Sequence, residues 1–335
     1  MYSYLKEVIF NSGGAISIEQ FMRIALYDMH HGYYMTQMPF GAHGDFITAP
    51  EISQLFGEII ALWVLLNWQK IGAPSKFVLV ELGPGRGTLI SDVIRILKRF
   101  KQCYAAVSIY LVEISPILES IQRDVLKNEK VFWCKSVNDV PDCPILIIAN
   151  EFFDALPIRQ FTCVDDTWYE TYVALENDKF KIIYKSVDER FEVSSDIEKP
   201  VIETCNEAIS IIRYIESKIL KNSGAAVIID YGYVDCPYEN TIQSVKDHKY
   251  NDLLKNVGTS DITAHVNFAV LRDSLSTLDS VIMNQRDFLY SVGIKERLRV
   301  LIENATEMQK QNLITGFLRL TENMGSMFKV LLINS

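Results

Sequence analysis

The sequence predicts an α/β protein: a doubly wound, mostly parallel sheet carrying an N-terminal helical cap and an inserted antiparallel meander. Three observations carry this prediction. From Lys76 onward, short β-favouring runs alternate with amphipathic stretches, the pattern of βαβ units in a parallel sheet. A glycine-bearing turn, Gly83-Pro84-Gly85-Arg86-Gly87, separates the first run from the first amphipathic stretch. The alternation then breaks over 158–185, where β-favouring runs are separated by Asp165-Asp166 and Asn177-Asp178, residue types that suit hairpin turns.

Residues 1 to about 70 read as helical. Ile18, Phe21, Met22 and Ala25 follow helical spacing, as do Ile52, Leu55, Phe56, Ile59, Ile60 and Trp63. Between them His30 to Phe46 is dense in glycine and aromatic residues and reads as an ordered surface loop. Pro50 and Glu51 suit the first turn of the helix that follows, where a missing N–H and a negative charge both fit. The sheet is expected from Phe77–Leu82, Val107–Val112, Val131–Cys134, Ile145–Ala149 and Ala225–Asp230, with helices over Leu89–Phe100, Pro116–Lys127 and Glu203–Leu220. The last third reads as mainly helical, with a helix starting at Asp261, until Met327–Ile333, a terminal strand able to add antiparallel. The resulting division is 1–72 as a cap and 73–335 as a core. The core holds a meander insertion over 158–200 and a loop and helix insertion over 235–275.

Composition narrows the function. Of 335 residues 49% are hydrophobic and 22% charged, ordinary values for a globular enzyme. Against 33 basic side chains stand 42 acidic ones, a net charge of −9, which disfavours a nucleic-acid partner and leans toward a cationic one. The six cysteines lie scattered with no CxxC pair, so reduced thiols are expected, with no disulfide framework and no metal site. Met1 to Glu7 shows no basic region followed by an apolar core, so no signal peptide is expected. The apolar stretch Ile59–Leu66 is far short of the ~20 residues a membrane helix needs, and no membrane insertion is expected.

The cofactor argument rests on Glu81-Leu82-Gly83-Pro84-Gly85-Arg86-Gly87-Thr88. A glycine turn between a buried strand and a helix is where an α/β sheet binds a nucleotide cofactor, and glycine lets the backbone approach a ligand closely. A dinucleotide fingerprint requires a third glycine where Thr88 stands, and Pro84 removes an N–H that a pyrophosphate would use. A carboxylate just ahead of the turn suits the positively charged end of S-adenosylmethionine better. Glu113 ends the next strand, where a carboxylate can accept from both ribose hydroxyls; its competing role is to cap the helix near Pro116.

A second motif, Asn150-Glu151-Phe152-Phe153-Asp154-Ala155-Leu156-Pro157, follows the fourth strand, at the carboxyl edge of the sheet that lines the ligand crevice. Asn150 can hold the donor's amino or carboxylate group. Glu151 and Asp154 can grip a guanidinium through charge-assisted hydrogen bonds, orienting its nitrogen for transfer and offsetting the charge of a cationic acceptor beside a cationic donor. Asp154 as a turn cap is the competing reading. Phe152 and Phe153 are expected in the core.

Taken together with Gly44-Asp45-Phe46-Ile47-Thr48-Ala49-Pro50-Glu51, Asp261-Ile262-Thr263-Ala264-His265-Val266-Asn267-Phe268, Gln285-Arg286-Asp287-Phe288-Leu289 and Met324-Gly325-Ser326-Met327-Phe328, these motifs resemble the MidA-like family over nearly the whole chain. The resemblance implies a class I methyltransferase fold (Rossmann-like), with S-adenosyl-L-methionine as cofactor. The family's mitochondrial member is a protein arginine methyltransferase making symmetric dimethylarginine on a subunit of respiratory complex I. The resemblance therefore implies a protein acceptor with an exposed arginine, in a bacterial cytoplasm or, for a processed eukaryotic chain, the mitochondrial matrix. Asp45, Thr48 and Glu51 would place the cap over the donor, with turn and helix capping as the alternative. The family often has Ser where Ala49 stands and Asp where Asn267 stands; the second change puts an acidic role there in doubt. His265 is able to accept a proton near neutral pH but reads as structural. A small-molecule methyltransferase and an assembly factor that retains the cofactor site remain alternatives, and a homo-oligomer is left open.

Overall fold

A computed structural model describes residues 1–38, 48–193 and 197–335. Helices α1 (Tyr2–Asn11) and α2 (Ile18–Tyr27) flank strand β1 (Ala15–Ser17), and the one-turn helices α3 (Tyr33–Thr36) and α4 (Ala49–Ile52) precede the long α5 (Gln54–Lys70). There follow β2 (Phe77–Leu82), α6 (Thr88–Leu97), α7 (Lys101–Ala106), β3 (Val107–Val112), α8 (Pro116–Val125), β4 (Val131–Cys134) and β5 (Ile145–Asn150). The meander is β6 (Arg159–Val164), β7 (Thr167–Glu176) and β8 (Lys179–Ser186), closed by β9 (Val201–Thr204) and followed by α9 (Asn206–Asn222) and β10 (Gly224–Tyr233). Beyond lie β11 (Gln243–Lys246), β12 (Lys249–Asn251), β13 (Asp261–Thr263), β14 (Val266–Asn267), α10 (Phe268–Asp273), β15 (Asp279–Asn284), α11 (Gln285–Val292), α12 (Ile294–Glu303), α13 (Glu307–Leu318) and β16 (Phe328–Asn334).

The main sheet runs β15-β16-β10-β5-β2-β3-β4, with β14 pairing the end of β10. Strands β10, β5, β2, β3 and β4 are mutually parallel, and β16 lies antiparallel between β10 and β15. The terminal strand thus adds as expected. Strand order reverses between β2 and β5, and such a switch point opens a crevice at the strands' carboxyl ends. Both faces are covered. Leu79, Ile148 and Ile229 pack with Ile59, Ile60 and Val93 of α5 and α6 on one side. Val80, Ile147 and Ile228 pack with Ile212, Ile215 and Phe268 of α9 and α10 on the other. The unbroken apolar run Ile145 to Ala149 of β5 is what a strand buried on both faces requires.

The meander forms its own antiparallel sheet, β1-β7-β6-β9 with β8 on β7. Asp165, Asp166, Asn177 and Asp178 all take positive φ, between 48° and 63°, the conformation a two-residue hairpin turn demands. Leu5, Ile18, Phe21 and Met22 of α1 and α2 pack with Val173 of this sheet and Ile262 of β13 in a third core.

Several local expectations change. Ala15–Ser17, read as helical, is a strand because β7 pairs with it; three residues are too few to show a period of their own. Helix α9 begins at Asn206, since Val201–Thr204 pairs with β6. The 235–275 segment, expected as loop and helix, also holds the three-stranded sheet β12-β11-β13. Asp261 accordingly starts a strand, not a helix.

Candidate active site

The turn after β2 is left-handed at Gly83, Gly85 and Gly87, with φ of 60°, 53° and 81°, where a Cβ is strained. At Gly83 a Cβ would also come within 2.8 Å of the Phe152 ring. The Gly87 N–H donates to the Pro84 carbonyl at 2.8 Å and Gly87 caps α6, which starts at Thr88. Glu81, 3% exposed, accepts from the Ile90 N–H, while burial, with Glu113 adding, pushes it up to about 8.

A small cavity of about 40 Å³ lies over this turn, lined by Glu81, Gly83, Pro84, Gly85, Thr88 and Asn150 together with Thr48, Glu51 and Glu151. Glu81 Oε2 and Asn150 Oδ1 are buried there without a hydrogen-bond partner among the described residues. Buried acceptors are costly unless satisfied. A carboxylate and an amide oxygen side by side call for a cationic N–H donor, as a donor's α-ammonium group supplies.

At the end of β3, Glu113 Oε1 accepts from the Ser115 N–H at 2.7 Å and Oε2 from Gln122 Nε2 at 3.0 Å. Burial raises its pKa against these bonds. The helix cap considered for Glu113 belongs to Ser115, whose Oγ accepts from Leu118 N–H at 3.2 Å. Gln122 also donates to the Gly85 carbonyl at 2.7 Å, tying the second strand's carboxylate to the glycine turn. Its signal in the sequence was a polar residue on the apolar face of α8.

On the other side of the crevice, Glu151 follows β5 with φ +49°, held by its N–H on the Ile229 carbonyl at 2.9 Å. Its Oε1 accepts from Ala49 N–H at 3.1 Å and Asn150 Nδ2 at 3.3 Å. Burial, then the Asp154 and Glu51 charges, push it up to about 7. Asp154, raised by burial to about 6, accepts from the Tyr231 hydroxyl. Beneath both lies Asp230, fully buried, whose Oδ2 accepts from Phe153 and Asp154 N–H at 3.0 and 3.1 Å. Burial and the Asp154 and Glu151 charges push Asp230 well above the carboxylate range. Phe153 is core, but Phe152 packs only at the core's edge and lines the crevice.

A larger cavity of about 360 Å³ joins the two sides, lined by Gly83, Gly85, Glu113, Thr48, Phe152, Glu151 and Asp154 and also by Tyr27, Tyr34, Tyr231 and Asp261. Sequence reasoning missed these last four and Asp230, which lie in segments far apart in the chain. Asp45 lies outside the described residues. Thr48 stands at the start of α4 without a side-chain capping bond, and Glu51 reaches Arg86 of the glycine turn at 3.4 Å. His265 lies behind this crevice, in a second cavity, its ring edge-on to Tyr231 at 5.4 Å. Asn267, where the family often has Asp, caps α10 by accepting from Val270 N–H at 3.1 Å, a role either residue fills.

A parallel sheet with its switch point under a glycine turn, an acid-tipped second strand and unsatisfied acceptors defines an α/β enzyme that binds a cation-bearing nucleoside cofactor. Residues 59–283 match the model of a family described as "Putative S-adenosyl-L-methionine-dependent methyltransferase", and the chain belongs to that family. Its methyl donor is S-adenosylmethionine. "Protein arginine methyltransferase NDUFAF7, mitochondrial" of Xenopus tropicalis is 35% identical, over 97% of this chain and 84% of the relative. The human protein of that name is 33% identical, over 91% and 76%. A crystal structure from Burkholderia thailandensis bound to S-adenosyl-homocysteine superposes with a TM-score of 0.85 at 24% identity, covering 100% of this chain and 91% of that one, and shares the fold.

Proposed function

We propose that the protein transfers the methyl group of S-adenosylmethionine to an arginine nitrogen of a protein acceptor. The observation that carries this is the acid wall after β5. Glu151 and Asp154 line the donor crevice, and among the described residues neither enters an ion pair. Buried carboxylates held this way favour a cation that hydrogen-bonds to both. The relatives' names supply arginine as the acceptor type.

In this reading Glu81 and Asn150 hold the donor's amino end, Glu113 its ribose hydroxyls, and Gly83, Pro84, Gly85, Gly87 and Thr88 the backbone against it. Thr48 and Glu51 cover it from the N-terminal side. The bound donor supplies an electrophilic methyl on a sulfonium. Glu151 and Asp154 orient the guanidinium for in-line approach and balance its charge, a positioning task more than a proton transfer. The acceptor that the family resemblance suggests is a respiratory complex I subunit, in the mitochondrion that the relatives' names give; those names lend no support to a cytoplasmic site.

The test is transfer of radiolabelled methyl from S-adenosylmethionine into lysate lacking this protein, followed by hydrolysis to amino acids. Label is expected in methylated arginine. Donor binding without protein label would move the acceptor to a small molecule or leave a binding role.

A further inference from the structure

Leu118, Gln122 and Leu126 follow one another at four-residue spacing along the buried side of α8 and its C-cap. Between the two leucines Gln122 is fully buried. Its amide is used at both ends: Nε2 donates to the Gly85 carbonyl at 2.7 Å and to Glu113 Oε2 at 3.0 Å, and Oε1 accepts from Trp133 Nε1 at 2.9 Å. Trp133 lies on β4, and the Arg123 guanidinium stacks on its ring 4.1 Å from the centroid. An indole N–H can only donate. A flipped amide would set N–H against N–H, so Trp133 fixes which end of Gln122 faces Glu113 and the glycine turn.

We propose that Gln122 is a positioning residue for donor binding: it holds the Glu113 carboxylate against the glycine turn in the orientation that meets the donor's ribose hydroxyls, with Trp133 setting the sense of its amide. The inference rests on the assignment of Glu113 to the ribose above. A third leucine on this side of α8 would cost less to bury than an amide, and the two groups that Nε2 joins both belong to the donor crevice. The contact is also steric, since a Cβ at Gly87 would meet Gln122 Cγ at 3.5 Å. A carboxylate has about four acceptor sites, so capacity for hydroxyl donors remains beside the bonds from Ser115 and Gln122. Burial raises Glu113, and those two bonds act against the rise, favouring the ionised form that accepts.

The test compares, by calorimetry, binding of S-adenosylhomocysteine with that of its analogue lacking the 2′-hydroxyl. Wild type is expected to prefer the intact ribose about tenfold or more, and Glu113→Gln to cut that preference at least about threefold. Gln122→Met keeps the length of the side chain and removes its hydrogen bonds. It is expected to weaken S-adenosylhomocysteine about tenfold while holding the analogue within about threefold of wild type. Trp133→Phe, which removes only the indole N–H, is expected to lose about threefold with the same selectivity for the intact ribose. Equal losses for the two ligands in Gln122→Met, or no loss, would mean that Gln122 only fills space beneath the turn and would overturn the proposal. If Gln122→Met does not fold, Trp133→Phe decides, and an undiminished preference there overturns it. No preference in wild type, or full retention of it in Glu113→Gln, would instead bring down the ribose assignment, and this inference with it.

Discussion

Most of the donor half of the crevice comes from one βαβ stretch, Glu81 to Gln122, to which Asn150, Thr48 and Glu51 are added, whereas the acceptor half gathers α2, α3, the loop after β5, the last part of β10 and β13. On the donor side the backbone gives the site its shape, through three left-handed glycines, a proline carbonyl and the first turn of α6, and Glu81, Glu113 and Asn150 add its polar contacts. On the acceptor side carboxylates and phenols make it, each held by a hydrogen bond to a different element. Neighbouring residues can specify a turn through local sterics. A cluster of like charges assembles only where surrounding packing compels it. The donor half is thus sensitive to shape, and the acceptor half to charge.

The strongest test of that contrast is Gly85→Val. A β-branched side chain at φ 53° strains the turn and fills the cavity, and donor affinity is expected to fall more than about a hundredfold. Calorimetric titration with S-adenosylhomocysteine measures this; wild-type affinity would place the donor off the turn. Glu151→Gln keeps shape and removes charge, so donor affinity should hold while turnover of an arginine peptide drops about a hundredfold. With Glu151 raised to about 7 and Asp154 to about 6, kcat/KM at saturating donor should rise with pH through that window and level above it. A residual rate in Glu151→Gln should lose the upper step; a superimposable profile would remove Glu151 from acceptor binding.

A smaller effect separates the halves by stability. Glu81 has an ordinary value of 4.5 and lies near 8 in the folded protein. Between these values the folded state holds a proton that the unfolded chain has lost, so stability falls as pH rises and flattens above about 8. A bound donor ammonium offsets the ionised carboxylate, so S-adenosylhomocysteine should raise Tm more at the top of the window than at the bottom. A pH-independent Tm increment would detach Glu81 from the amino end. Smallest is Asn267→Ala, a lost helix cap worth about 1 kcal/mol, read by denaturant unfolding with activity retained. Loss of activity without loss of stability would restore a chemical role to that position.

Much of the fold was legible because its signals are local. The hydrophobic run of β5, the Asp-Asp and Asn-Asp turns of the meander and the glycine turn each follow from the sterics and burial of a few neighbours. The short strands β1, β11 and β13 were not, since three or four residues carry no period and become strands only through their partners. Site residues divide the same way. Glu81, Glu113, Glu151 and Asp154 announced themselves at strand ends, where a parallel sheet places its ligands. Asp230 inside β10 and Tyr34 on a one-turn helix looked like ordinary polar residues, and Asp261, though first in one of the motifs, read as a helix start and not as part of the site.

The sequence by itself determined the parallel sheet, its glycine turn and the acids at its strand ends, because backbone conformation and hydrophobic period are properties of adjacent residues. Only the tertiary structure decided that Gln122 joins Glu113 to Gly85, that Asp230 underlies Asp154, and that Tyr34 and Asp261 face the same cavity. Those are contacts between segments up to 227 positions apart, fixed by how the three cores pack and by no pattern within any one of them.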